Sequence, residues 1–291
     1  MSARVLSGKE LAAQIRSEVR ERAAALRCAG TTPWLAVVTA TDDRSSAWYV
    51  SSISRAAGTV GITCDVVELG AECDIDTIRS ELATLSDQET VHGILLQTPL
   101  PPGATLEDLA GGINPAKDVD GANPLSLGRL VTGLPAHAPA TAEAVVAILD
   151  HHGIDLEGRH VAVVGRSNVV GKPAAHLLLG RNATVTVCHS RTRDLAAITR
   201  LADVLVVAIG QPKMITGEYL LPGAVVIDVG INPTAEGALV GDVDPDTVTD
   251  QAAGVTPVPG GVGPVTTALL LAHTVRAAAP MIDTASRTWL A

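Results

Sequence analysis

Short runs of uninterrupted apolar residues recur along this chain between segments of helical period, and that alternation restricts the fold more than any other feature. Trp34 to Thr39 (WLAVVT), Asp65 to Leu69 and His92 to Gln97 (HGILLQ) read as strands. Between them, Ser46 to Val60 and Ile75 to Leu85 carry apolar residues at helical spacing, the former stopping at Gly61. Lys9 to Leu26 does the same ahead of them and ends near Gly30. Strands without polar alternation are buried on both faces, as in a parallel sheet covered by helices. The βαβαβ rhythm therefore predicts an α/β lobe.

Pro and Gly cluster from Pro99 to Pro139, after which Thr141 is a predicted N-cap for a helix over Ala142 to His151. Four more apolar strands follow: HVAVVG, TVTVCH, VLVVAIG and AVVIDVG. A last helix is expected from about Pro264 to Ala279. The fold class is thus α/β and two-lobed. We expect one domain over residues 1–140 and a Rossmann-type domain over 141–263, with a C-terminal segment of about 264–291 packing back on the first. With 291 residues, 47% of them hydrophobic, each lobe has enough apolar material for a core.

The segment His160 to Pro173 (HVAVVGRSNVVGKP) runs a buried strand into Gly165, Arg166, Ser167 and Gly171 and then into a helix. Glycine lets backbone approach a pyrophosphate, and a helix N-terminus offers free N–H groups. Ser167 stands where the second glycine of such a turn is usual, so the motif alone is weak; the flanking strand and helix strengthen it. The next strand ends Cys188-His189-Ser190-Arg191, without the carboxylate that binds a ribose 2′-hydroxyl. Arg166, Ser190 and Arg191 instead offer donors to a 2′-phosphate, which points to NADP. The alternative is that these are surface arginines at loop ends.

The net charge of −10 argues against a nucleic-acid partner. Cys28, Cys64, Cys73 and Cys188 form no C-x-x-C pair, so no metal is expected and the thiols read as reduced, in a cytoplasmic protein. Residues 1–20 lack the pattern of a signal peptide, and no apolar run approaches the roughly 20 residues of a membrane span.

The motifs VVGRSNVVGKP, ATVTVCHSRT, ADVLVVAIGQP, GAVVIDVGIN and GVTPVPGGVGPVTTALLLAHT, with Ser46-x-x-Tyr49-Val50, GILLQTPLP and PAKDVDG, span nearly the whole chain. In that order they resemble the bifunctional methylenetetrahydrofolate dehydrogenase/methenyltetrahydrofolate cyclohydrolase family. The resemblance implies an N-terminal folate-binding lobe, a Rossmann-type NADP-binding lobe, a cleft between them, and a homodimer. It implies oxidation of 5,10-methylenetetrahydrofolate, followed by hydrolysis of the methenyl product to 10-formyltetrahydrofolate. By position, Tyr49 would lie against the pterin, Gln97 would tune the catalytic pocket, and Asp120 would accept from the pterin N–H groups with Asp118 in support. Pro259, Gly260 and Gly261 would form a loop against the folate, and Gly165, Arg166, Ser167, Ser190 and Ile231 would contact NADP. Read without the resemblance, Tyr49 could be core packing and the two aspartates turn organisers, while Gln97 at a strand end more often faces a ligand.

The family's helix reads Y-V-x-x-K-x-K, and here its catalytic lysine is Ile53 and its second lysine is Arg55. Isoleucine carries neither proton nor charge, and a guanidinium is a poor acid/base group. Lys117 is the nearest substitute by motif, and P-C-T-P-x-G reads Pro139-Ala140-Thr141-Ala142-Glu143-Ala144. Hydride transfer rests mostly on alignment and is expected to persist, whereas the hydrolysis is expected to be impaired. Two other readings stay open: a paralogue acting on a different folate or imine, and a non-catalytic NADP-binding protein.

Overall fold

The computed structural model describes residues 2–234 and 237–279. In chain order it begins β1 (Arg4–Val5), α1 (Lys9–Cys28), β2 (Trp34–Thr39), α2 (Arg44–Val60), β3 (Thr63–Glu68), α3 (Ile75–Asp87) and β4 (Gly93–Leu96). Three helices follow, α4 (Leu106–Ala110), α5 (Pro124–Val131) and α6 (Ala140–His151), and then β5 (His160–Val164), α7 (Gly171–Leu179), β6 (Thr184–Cys188), α8 (Leu195–Thr199) and β7 (Val204–Val207). A 3₁₀ turn (Gly217–Tyr219) leads to β8 (Val225–Asp228), β9 (Asn232–Pro233), β10 (Leu239–Val240), α9 (Pro245–Val248), β11 (Gly254–Val255) and α10 (Val262–Ala278). The described residues divide into two compact units, residues 2–12 with 141–234 and 237–266, and residues 13–140 with 267–279.

The second of these units holds a parallel three-stranded sheet in the order β3-β2-β4. The central strand β2 and its neighbour β4 are buried along their lengths, while the edge strand β3 is partly exposed. One core cluster joins Ala36, Val38 and Leu96 of the sheet to Ile78 and Leu82 of α3. Helix α2 starts where Asp43 accepts the Ser46 N–H at 2.7 Å, and ends where Gly61 takes the left-handed conformation at φ 82°. Its buried stripe is Ser46, Val50, Ile53, Ala57 and Val60, a spacing of alternate fours and threes that keeps one face inward. Burying an isoleucine on such a stripe contributes roughly 1.5–3 kcal/mol.

The other unit carries a six-stranded sheet in the order β1-β11-β8-β7-β5-β6. Every pairing in it is parallel. From β5 the chain steps outward to β6 and then returns to β7 on the other side, so the sheet's switch point lies at the C-terminal end of β5.

The structure departs from the sequence reading in four places. Residues 2–12 belong with the six-stranded unit and not with residues 13–140, because Arg4 and Val5 pair with Gly254 and Val255. A two-residue strand leaves no periodic signal. Thr141 lies inside α6 and does not cap it; the Ala140 N–H is accepted by the distant Asp120 carboxylate. The stretch read as punctuation contains α4, capped by Thr105, and α5, capped by Asn123 with Pro124 in its first turn. Finally, α10 starts at Val262; its residues from Thr267 onward belong to the three-stranded unit, and 280–291 lie outside the described residues.

Candidate active site

In the six-stranded unit, β5 ends at Gly165, whose φ of 132° is a conformation few other residues adopt. A Cβ there would lie 2.2 Å from the Ala208 carbonyl oxygen, and one on Gly171 would lie 2.2 Å from that of Gly165. The turn therefore closes on its own backbone, leaving the start of α7 open to close approach. Ser167 Oγ accepts the N–H groups of Val170 (3.2 Å) and Gly171 (3.4 Å), which explains why this position takes serine. Val164 is in register with Cys188, and the Gly165 N–H reaches the Cys188 carbonyl at 2.9 Å, so two strand ends emerge side by side. Arg166, Ser190 and Arg191 are all exposed there. Ile231, 55% exposed, follows β8 on the same sheet. Glycine clearance, a helix start and two guanidinium groups without an opposing carboxylate at the end of β6 fit a phosphorylated dinucleotide.

Two buried aspartates brace these loops, and sequence reasoning missed both. Asp242 accepts the N–H groups of Ile209 (2.7 Å), Gly210 (2.9 Å) and Gln211 (2.8 Å), together with Asn232 Nδ2 (2.9 Å). Asp228 accepts those of Gly230 (2.9 Å), Asp242 (3.0 Å) and Val243 (3.0 Å). Burial pushes the Asp228 carboxyl up to about 6, against the pull of these N–H groups. The loop predicted to meet folate also lies in this unit: Gly260 adopts φ 111°, and its carbonyl accepts the Gly8 N–H at 3.0 Å. A Cβ on the neighbouring Gly261 would sit 2.7 Å from the Pro257 carbonyl oxygen, and Pro259 itself is exposed.

In the three-stranded unit, Tyr49 on α2 is half-buried beside Asp120 and bonds to Thr267 of α10. Burial, and then the Asp120 charge, push its hydroxyl above the usual tyrosine range. Asp120 is raised to about 7, first by burial and then by Asp118, with His273 and the Ala140 N–H pulling the other way. Asp118 is a turn organiser: its carboxylate accepts from Ala122 (3.0 Å) and Asn123 (2.9 Å). Asn123 in turn donates to the carbonyls of Ala110 and Ile113. Gln97 is partly exposed at the end of β4, and its Nε2 donates to the Thr98 carbonyl at 2.7 Å. Ser46 Oγ donates to that same carbonyl at 3.2 Å, tying α2 to the strand end. The structure thus brings Tyr49, Asp118 and Asp120 together, while Pro259, Gly260 and Gly261 belong to the other unit.

Ile53 is fully buried, on the same side of α2 as Tyr49. Four residues on, it lies roughly 40° round the helix from Tyr49. Arg55 lies roughly 120° from Tyr49 the other way. Its Nε donates to the Ser51 carbonyl of its own helix, and it lines a separate groove of about 560 Å³ with Ser54 and Glu68. Lys117 is no substitute either: its Nζ donates to the carbonyls of Ser86 (2.7 Å) and Gln88 (2.6 Å) at the end of α3. Among the described residues, no group of three or more His, Cys, Asp or Glu is placed to hold a metal. No described helix is long and apolar enough to cross a membrane.

A parallel sheet with a glycine turn at its switch point, on one chain with a second α/β unit carrying a half-buried tyrosine beside a pair of aspartates, defines a dinucleotide-dependent α/β enzyme. Comparison with known proteins narrows the class. Residues 6–120 match the family described as tetrahydrofolate dehydrogenase/cyclohydrolase, catalytic domain, and residues 139–281 match its NAD(P)-binding domain. The chain belongs to the tetrahydrofolate dehydrogenase/cyclohydrolase family. It is 64% identical over 275 residues to a "Bifunctional protein FolD 1" of Saccharopolyspora erythraea, covering 94% of each chain. It superposes on a FolD methylenetetrahydrofolate dehydrogenase/cyclohydrolase from Campylobacter jejuni with a TM-score of 0.92 at 39% identity, covering 95% of this chain and 99% of that one. The Trypanosoma brucei enzyme, solved with NADP cofactor and an inhibitor, gives 0.91 at 38% identity, covering 96% and 98%.

Proposed function

We propose that this chain oxidises 5,10-methylenetetrahydrofolate to 5,10-methenyltetrahydrofolate with NADP+, and hydrolyses the methenyl product to 10-formyltetrahydrofolate only weakly. The observation that carries the reading is a contrast: an intact phosphate-binding turn on one unit, and a buried Ile53 beside Tyr49 on the other. Bound NADP+ would supply the hydride acceptor. Gly165, Ser167 and Gly171 would admit its phosphates, Arg166, Ser190 and Arg191 its 2′-phosphate, and Ile231 would line the same sheet edge. Asp120, once ionised, would accept the pterin N–H groups, with Asp118 keeping its turn in shape. Tyr49 would lie against the ring, and Gln97 would offer its amide to the substrate. Loop residues Pro259, Gly260 and Gly261 would close on the folate.

Positioning of this kind supports transfer of a hydride, which needs no proton carrier. Attack of water on the methenyl carbon does need one, and the arrangement around Ile53 supplies none from lysine. The four unpaired cysteines suit a reducing cytoplasm, and we infer a homodimer as in the family pattern.

The test follows purified protein spectrally with 5,10-methylenetetrahydrofolate and NADP+, watching NADPH and the methenyl species separately and repeating with NAD+. Methenyl product accumulating in step with NADPH, and slower reaction with NAD+, is the expected result. If the methenyl species disappears faster than it does without protein, hydrolysis is intact and the second half of the proposal is wrong. No NADPH at all would remove the folate assignment.

A further inference from the structure

We propose that His273 is a positioning residue of the folate site, holding the turn that carries Asp120 through a buried hydrogen bond from α10 to the backbone between Asp118 and Asp120. The inference rests on the reading of Asp120 as the acceptor for the pterin. His273 is a fully buried side chain in the middle of the apolar helix α10. Its Nδ1 meets the Val119 carbonyl oxygen at 2.7 Å, and a carbonyl only accepts, so Nδ1 carries the proton and donates. Val119 is the residue between the two aspartates, and its carbonyl is therefore the handle by which α10 fixes both.

The turn is held from other sides as well. A Cβ on Gly121 would lie 2.5 Å from the Pro139 nitrogen and 2.7 Å from the His137 carbonyl oxygen, so residues 137–139 press directly on it. The His137 ring packs on His273 with centroids 4.8 Å apart at 36°. The charged and titratable groups coupled to this turn are Asp118 on the turn itself, Tyr49 from α2 and His273 from α10, while His137 from the segment before α6 packs on His273 and is acted on by Arg276 of α10. Of these, His273 opposes the burial that raises the two carboxyls. Burial first, and then His273 and Arg276, hold His137 well below the usual histidine range, so His137 stays a neutral packing partner. With isoleucine at position 53, the basic side chain that pulls the Asp120 carboxyl down is His273. A single histidine in an apolar helix carries no local sequence signature of such a role.

The experiment measures kcat/KM for 5,10-methylenetetrahydrofolate at saturating NADP+ from roughly pH 5.5 to 9, where the profile reports groups of the free enzyme. The variants are His273→Asn, His273→Leu and Asp120→Asn. Asparagine keeps an N–H donor and loses the imidazole; leucine loses both. For His273→Asn we expect the acidic limb to move to higher pH by about half a unit or more, since His273 pulls both carboxyls down and asparagine does not, with kcat/KM at the alkaline end within about threefold of the parent. For His273→Leu we expect a folate KM raised about tenfold or more, kcat nearly kept and NADP affinity unchanged. An unmoved limb in His273→Asn overturns the proposal, whether or not His273→Leu folds. Asp120→Asn separates the two levels. If it leaves the folate KM unchanged, the reading of Asp120 fails and takes this inference with it. If it raises KM while the limb of His273→Asn stays put, only this inference fails.

Discussion

Asp-Val-Asp occurs at residues 118–120 in the three-stranded unit and again at 242–244 in the six-stranded unit. The two first aspartates are alike. Both are almost fully buried, and both accept backbone N–H groups from loops they hold in place. The second aspartates differ. Asp244 stands at the N-cap position of α9 without a side-chain capping bond, and pairs with Lys213 at 3.4 Å. Asp120 faces a tyrosine and another carboxylate, with the Ala140 N–H and His273 to offset its burial. A carboxylate whose oxygens are taken up by backbone N–H groups is scaffold, because those bonds hold its loop and leave few lone pairs for a ligand. One held at about 7 in the folded state is kept under-satisfied, and such groups gather where ligands supply the missing donors.

The largest effect should come from cutting the scaffold. Asp242→Ala leaves three backbone N–H groups and one asparagine amide without their acceptor in a buried place. We expect a loss on the order of 3–5 kcal/mol in urea unfolding, with NADP affinity falling because the loops after β7 and β8 lose their brace. A loss under about 1 kcal/mol would mean that these bonds do not hold the loops, and the comparison would break at its firmest point.

Ile53→Lys tests the other unit. The stripe Ser46, Val50, Ile53, Ala57 and Val60 faces inward, so a lysine there is desolvated. Its cost should be about 2–4 kcal/mol, and burial should depress its pKa toward the range useful for proton transfer. Thermal unfolding checks the first part. The second is checked by methenyl hydrolysis, expected to rise about tenfold or more, with NADP affinity unchanged. Stability lost without any gain in hydrolysis would show that more than the lysine has been altered around the pocket.

Much of this was legible in the chain itself. Apolar runs such as WLAVVT and HVAVV read as buried strands, and Gly165 and Gly171 between a strand and a helix read as a phosphate-binding turn. What stayed hidden depends on residues far apart in sequence. Asp242 accepts from residues about 30 positions earlier, and His273 reaches Val119 across 154. Neither carries a local signature. The missed cap of α6 is the same lesson: Thr141 was the plausible local candidate, but the acceptor of the Ala140 N–H is Asp120, twenty residues upstream. Lys117 is the nearest substitute by motif, and only the geometry shows its Nζ donating to the carbonyls of Ser86 and Gln88.

Asp120→Asn sharpens the contrast through pH. In the parent, a carboxyl raised from 3.8 to about 7 binds more protons folded than unfolded between those values. Stability from this group is therefore fully present at low pH and is lost as pH rises toward about 7, at most about 1.4 kcal/mol per unit. Folate binding runs the opposite way, since the acceptor is the ionised form, and it should weaken as pH falls below about 7. Asparagine should flatten both slopes, keep or raise stability at alkaline pH, and raise the folate KM by about 10- to 100-fold there. Unfolding midpoints and kcat/KM across pH measure the two together. A variant that loses stability at alkaline pH along with affinity would place Asp120 among the scaffold carboxylates after all.

The smallest effect is expected at the remaining aspartate. Asp244 and Lys213 form an ion pair that is still open to water, with side chains 18% and 45% exposed, and Asp246 lies within reach of the same ammonium group. Such a pair is screened and shared, so removing one partner leaves no isolated buried charge. Asp244→Ala should shift the unfolding midpoint by about 2 °C or less and leave both NADP and folate affinity in place. The shift should shrink further in high salt, where Asp242→Ala keeps its full effect because its lost acceptor is buried. A large, salt-insensitive loss at Asp244 would mean that position within the Asp-Val-Asp motif, and not saturation by N–H groups, decides which carboxylate holds the fold.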